Sequence, residues 1–399
     1  MLSVLFLEDI GMMLDAVSGA SSTLAARLRP LVTTADKATD QPAVHVFQGT
    51  EAVEQAASDW QTIERASGAA TPFQTFAMAR AASDAHLQRG EIPRIAVVRR
   101  DGRPVAIFPT VLTQQFGLTV ARFLGDPLIQ YGDVICEPGT PQRHLTAAWQ
   151  AAADPKAAHA IYLRKVRADA RIAPVLNQHA SALNQEEAPY VDTSRSCEEE
   201  EPRKLRHSRR KLSGAGALRL DVTQGDDARM HLRDALALKR NWLAARQLPS
   251  SVIGDKDWEE ALARLADSGG AMRLRVAVLH VGDKPAAYEI AFTHGDRWYA
   301  YLGAIVEEFA RHSPGRVQVA DTIAYCRANG FAHYDLLAPS DDVKRSYSSS
   351  ATGVADYISA LRPSGYLLSA AVQAQPAAKS MFVRLPAALR KPILALAGR

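Results

Sequence analysis

The feature that most narrows the fold of this sequence is one order of signals that occurs twice. In the first half, Trp60 lies on a helical stretch. A second helix opens at Thr71-Pro72-Phe73 and runs through Ala85, and Arg94 to Phe108 reads strand, Asp101-Gly102 turn, strand. Two β-type runs across Asp-Gly signal a hairpin, because that pair accepts the positive φ angles of a tight turn. In the second half, Asn241-Trp242 and Asp257-Trp258 lie on two helical stretches, and Arg273 to Phe292 is again strand, Gly282-Asp283 turn, strand. Arg122-Phe-Leu-Gly125 is echoed by Tyr299-Ala-Tyr-Leu-Gly303. Trp60 to Pro104 spans 44 positions against 43 from Trp242 to Pro285, and Pro104 to Gly125 spans 21 against 18 from Pro285 to Gly303. Agreement at several points predicts two copies of one α/β unit, with a period that makes them tandem domains rather than solenoid repeats.

The length of 399 residues accommodates two such units. The predicted divisions are a flexible N-terminal extension over 1–42, a first domain over 43–195, a second over 196–361 and a basic tail over 362–399. The acidic run Glu198 to Glu201 before Pro202 marks the central boundary. The first residues carry Glu8 and Asp9 but no basic residue before Arg27, which makes a poor signal peptide. A formal charge of +4 is too small to imply nucleic-acid binding by itself, and DNA is not an expected partner. Cys136, Cys197 and Cys326 form no CxxC pair, which disfavours a zinc site or a disulfide scaffold and fits the cytoplasm.

Two local features invite anions. Six of the ten residues Arg203 to Leu212 are Lys or Arg, on a short helix after Pro202 that ends near Gly214. Arg203, Arg206 and Arg210 share one face of it, either as a solvated surface or as an anion grip. Further on, Ser313-Pro314-Gly315 precedes a helix from Arg316 to Asn329, closed by Gly330. Ser313 is placed to cap it, and the amides of Gly315, Arg316 and Val317 would point outward at its positive end. A strand over Phe331 to Leu337 and a basic loop, Lys344-Arg345-Ser346-Tyr347, follow.

Together the basic helix, Leu238-Lys239-x-x-Trp242, Ser313-Pro314-Gly315, Tyr334-Asp335-Leu336 and Lys344-x-x-Tyr347 resemble the BioF2-like/CelD-like acyltransferases of the GNAT superfamily. The resemblance runs from about Pro189 to Tyr347. It implies an α/β fold of tandem GNAT-like domains, each a mixed, mostly antiparallel twisted sheet flanked by helices. The related Fem-type peptidyltransferases also pair two GNAT units. The implied activity is transfer from acetyl-CoA or another acyl-CoA to an amine or sugar-linked acceptor, without a metal, in exopolysaccharide, cellulose or envelope biosynthesis. Arg311-His-Ser-Pro-Gly315-Arg-Val317 departs from the family's Arg/Gln-x-x-Gly-x-Gly/Ala loop, with one glycine at a different offset. Aminoacyl-tRNA as donor, or a non-catalytic scaffold for polysaccharide assembly, therefore stay open.

For acyl transfer a base must deprotonate the attacking ammonium and an acid must protonate the departing thiolate. Glu289, a carboxylate within the apolar run Ala287 to Ala291, is the expected base, or else a partner of Arg273 or Arg275. Tyr347 is the expected acid, and His312 a further base or donor contact. Lys344 is expected on an anionic group, and Tyr301, beside Tyr299 by period-2 alternation, on the cleft wall. Residues 362–399 carry six basic and no acidic residues. Phe382, Leu385, Leu389, Ile393 and Leu394 suggest a membrane-surface stripe, against a flexible tail or a strap across the second domain.

Overall fold

The computed structural model describes residues 41–66, 71–194, 201–248 and 250–384, with side chains to residue 374. The body of the expected N-terminal extension, Cys197, the acidic run at Glu198 to Glu200 and the tail beyond residue 384 lie outside the described residues. So do the side chains of the expected membrane-surface stripe. Contacts divide the described residues into two compact units: one holds residues 41–185 together with 355–384, the other holds Glu186–Val354.

In the first unit, β1 (Ala43–Gln48), β2 (Ile92–Arg100), β3 (Arg103–Gln115) and β4 (Leu118–Phe123) pair antiparallel in sequence order. The short β5 (Ile135–Cys136) pairs with β3, and β6 (Ala160–Arg167) runs parallel to β4. The strand β7 (Ser181–Asp192) then crosses the division between the units. In the second unit, β8 (Leu218–Thr223), β9 (Met272–Val281), β10 (Lys284–His294) and β11 (Arg297–Ile305) repeat the antiparallel order, and β12 (His333–Asp335) runs parallel to β11. Both units are thus open, mostly antiparallel sheets flanked by helices.

The repeat holds at single residues. Asp101 and Gly102 take φ of 51° and 78°, and Gly282 takes 61°, so both hairpins turn where the sequence predicts. Each hairpin also shifts register beside its proline, at Val98/Arg99 opposite Pro104 and at Pro285/Ala287. Proline cannot donate to the ladder, so a bulge beside it accommodates the missing bond. A Cβ at position 282 would meet nothing within 4 Å, so the cost of Gly282→Ala is the left-handed backbone alone. We expect about 1 kcal/mol, read as a lower denaturant midpoint with an unchanged m-value.

The divisions expected at 195/196 and 361/362 fall instead at 185/186 and 354/355, because strands are exchanged along the sequence. The end of β7, Tyr190–Asp192, pairs antiparallel with β12. The later part of β13 (Ser350–Ala360) returns to the first unit, where Asp356 accepts from the Tyr162 hydroxyl and the Lys165 amide, both at 2.8 Å. The following helix, Gly365–Arg384, buries Leu368 and Val372 against Val120, Ala160, Tyr162 and Ile358. It is therefore a strap on the first unit, not on the second as expected. Among the described residues, no helix is long and apolar enough to cross a membrane.

The two faces of the second sheet carry different helices. Helix Pro314–Ala328 and the basic helix Arg203–Ser213 cover one, burying Val317, Ile323, Cys326, Leu205 and Leu212. Helix Gly225–Arg246 lies on the other, where His231 meets the Tyr288 ring at 5.9 Å between centroids.

Candidate functional site

The site is built around β11. Its parallel pairing with β12 covers only Arg297 to Tyr299. From Ala300 to Ile305, no strand pairs that edge among the described residues. Open N–H and C=O groups there can receive an extended ligand as an added strand. A register shift places Ile290 opposite Leu302 and Ala291 opposite Ala300, which leaves Tyr301 as the extra residue, edge-on to Phe292 at 5.2 Å.

The chain then passes through a short 3₁₀ turn, Glu307–His312, into helix Pro314–Ala328. Ser313 adopts φ 54° and makes no side-chain cap, contrary to expectation. Its carbonyl instead accepts from the Arg316 amide at 3.0 Å, closing a turn that uses one of the three amides predicted to face a ligand. Pro314, Gly315 and Val317 are buried, and Arg316 is half-exposed. The Tyr347 hydroxyl donates to the Arg316 carbonyl at 2.9 Å. Arg311 donates to His312 at 3.0 Å, and desolvation together with Arg311 and Lys211 holds the His312 imidazole below its ordinary pKa. His312, Ser313, Arg316 and Tyr347 therefore do come together at the helix start, in a cluster of cations.

Other expected residues lie elsewhere. On the basic helix, Leu205, Ser208 and Leu212 face inward, and Arg203, Arg206 and Arg210 are exposed, as their i, i+3, i+7 spacing requires. Arg209, which the sequence did not single out, anchors this helix by bonding both oxygens of Asp321 and also Glu201. Lys344 is neither exposed nor placed on an anion site. It is buried, and its ammonium donates to the carbonyls of Leu337 and Pro339 at 2.9 Å each.

Glu289 requires the largest correction. It is buried on the face of helix Pro314–Ala328, where Trp298 Nε1 donates to Oε1 at 2.8 Å and Tyr334 donates to Oε2 at 2.5 Å. Neither Arg273 nor Arg275 is its partner in these bonds. Burial pushes its pKa up to about 7, against the opposing hydrogen bonds from Tyr334 and Trp298. Such a carboxyl suits proton transfer in affinity but not in position. A cavity of about 270 Å³ opens against the other helix, lined by Leu238, Lys239, Trp242 and Arg246, by Gly303 to Ile305, and by Ala310. It meets the free edge of β11, and its lining contains no carboxylate. The sequence did not select Lys239, Trp242 or Arg246 as site residues. Their signal was a lysine at a buried position of the stripe Leu232, Leu236, Lys239, Leu243.

Residues 201–345 match the family described as acetyltransferase (GNAT) domain, and this part of the chain is a GNAT domain. The fold of the longer chain is shared with FemX at 13% identity and a TM-score of 0.56, over 77% of this chain and 98% of that one. It is also shared with L-PGS from Bacillus licheniformis at 11% identity and a TM-score of 0.52, over 82% and 97% of the two chains. No curated protein matches the sequence.

Proposed function

We propose that the second unit transfers an acyl group from an acyl-CoA thioester to an amine, either free or carried on a saccharide. The observation that carries this reading is the free edge of β11 running into the cationic start of helix Pro314–Ala328. An amide-bearing arm such as pantetheine suits the open strand edge. The donor's phosphates suit Lys211, Arg311, Arg316 and the helix dipole. The amine nitrogen attacks the thioester carbonyl, the C–N bond forms and the C–S bond breaks. His312 takes the ammonium proton before attack, Tyr347 gives a proton to the departing thiolate, and the second nitrogen proton, released as the amide forms, restores the Tyr347 hydroxyl.

Thiol release should be measured with acetyl-CoA and a panel of amines that includes glucosamine. Tyr347→Phe is expected to lower turnover at least about tenfold, and Arg316→Glu to weaken acetyl-CoA binding by a similar factor. Absence of thiol release and of binding across several acyl-CoAs would overturn the reading. A second reading, with aminoacyl-tRNA as donor, draws on the exposure of Arg203, Arg206 and Arg210 along one helix face. It requires tRNA binding that weakens steeply with salt and is lost when these arginines are replaced.

A further inference from the structure

The cavity beside β11 holds a cation without an anion. Lys239 is only 9% exposed, yet its ammonium has neither a hydrogen bond nor an ion pair among the described residues. Its neighbour is the Trp242 ring, 4.6 Å from Nζ to the centroid. The Arg246 guanidinium lies over the same ring at 4.4 Å. Elsewhere on this helix Arg229 is paired with Asp267 and Arg240 with Glu259, so the helix neutralises cations where it has acids to do so. Two like charges facing one cavity repel each other, and an ammonium largely withdrawn from water with no acidic partner is only partly compensated for its lost hydration. An anion between them relieves both.

We propose that this cavity is a receptor for a phosphate-monoester group carried by a ligand, held by Lys239 and Arg246 with Trp242 as its flat wall. Two cations match a dianion, the guanidinium adds a bidentate fork, and the open backbone of Gly303 to Ile305 stands at the rim. The assignment of the phosphate to the acyl donor or to the acceptor rests on the acyl-transfer reading. The receptor itself does not.

The charge state supplies a signature. Burial, and then Arg246, push the Lys239 pKa down to about 8. Arg246 is the charged group that acts on it, and His231 on the same helix faces Tyr288 instead. A phosphate monoester is already a dianion near pH 8, so proton uptake on binding there reports Lys239.

The experiment is calorimetric titration of the full chain with phenyl phosphate near pH 8, in two buffers of different ionisation enthalpy. Binding with proton uptake is expected. Lys239→Met should weaken it about tenfold or more and abolish the uptake, while Lys239→Arg should bind within a few-fold without uptake. Benzoate should bind several-fold more weakly than phenyl phosphate. The methionine fits the apolar stripe, so a thermal midpoint no lower than that of the unsubstituted protein shows that the variant is folded. If CoA displaces phenyl phosphate, the phosphate belongs to the donor. If both bind together, it belongs to the acceptor, and either result upholds the receptor. Unchanged binding in folded Lys239→Met, or no binding of phenyl phosphate to the parent chain at millimolar concentration, overturns it. Either could occur while thiol release from acetyl-CoA is normal, which separates this proposal from the activity.

Discussion

Lys344→Met should destabilise the second unit by about 3 kcal/mol, with little change in acyl-CoA affinity where the variant is folded. The expectation follows from where the ammonium goes. Two buried carbonyls, Leu337 and Pro339, lose charge-assisted bonds together, and methionine offers them nothing. Each unsatisfied buried acceptor costs roughly 1–3 kcal/mol. A denaturation series on both proteins reads the loss directly. A variant of parental stability that binds acyl-CoA much more weakly would return Lys344 to the anion-holding role that its sequence context suggested.

The second large effect is a pH dependence. The Glu289 carboxyl is held at about 7 in the folded protein against 4.5 for the ordinary group, so the native state binds more protons than the unfolded chain between these values. Its contribution to stability is complete below pH 4.5 and is lost as pH rises through about 7. The loss amounts to about 3 kcal/mol. Glu289→Gln imitates the protonated acid. Its carbonyl accepts from Trp298, its amide donates to the Tyr334 oxygen, and it has no proton to lose. The stability difference between variant and parent should therefore grow by about 3 kcal/mol from pH 4.5 to pH 8, in favour of the variant. Parallel stability profiles would contradict this. Turnover should stay within a few-fold, because the carboxyl faces helix Pro314–Ala328 and the cavity lies on the other side.

These two residues also show where the sequence stops being readable. The hairpins were legible, because Asp101-Gly102 and Gly282 carry turn chemistry that few other residues can supply. The repeat was legible in the spacing of its tryptophans, prolines and glycines, whereas the register shift beside each proline was not. The face of Glu289 was not. Residues Ala286 to Thr293 of β10 are buried throughout, so no alternation of polar and apolar residues marks which side is which. The strand exchange was hidden because β7 pairs with β12, and Asp356 bonds Tyr162, across far more chain than any local pattern spans. Trp60 and Trp242 hold the same place in the repeat with different fates: Trp60 is core, donating to the Gln74 carbonyl at 2.9 Å, and Trp242 lines a cavity between two cations. Spacing identified the pair. Only the surrounding packing separated a structural ring from a binding one.

On the proposed reading, an acyl donor lies along the unpaired edge of β11 and ends at the start of helix Pro314–Ala328. Hydrogen–deuterium exchange with and without acetyl-CoA tests it most directly. Slowed exchange is expected in peptides covering Ala300 to Val306 and Gly315 to Gln318, with β1 and β2 of the first unit unchanged. Saturating acetyl-CoA that leaves both peptides exchanging at their free rates would contradict it.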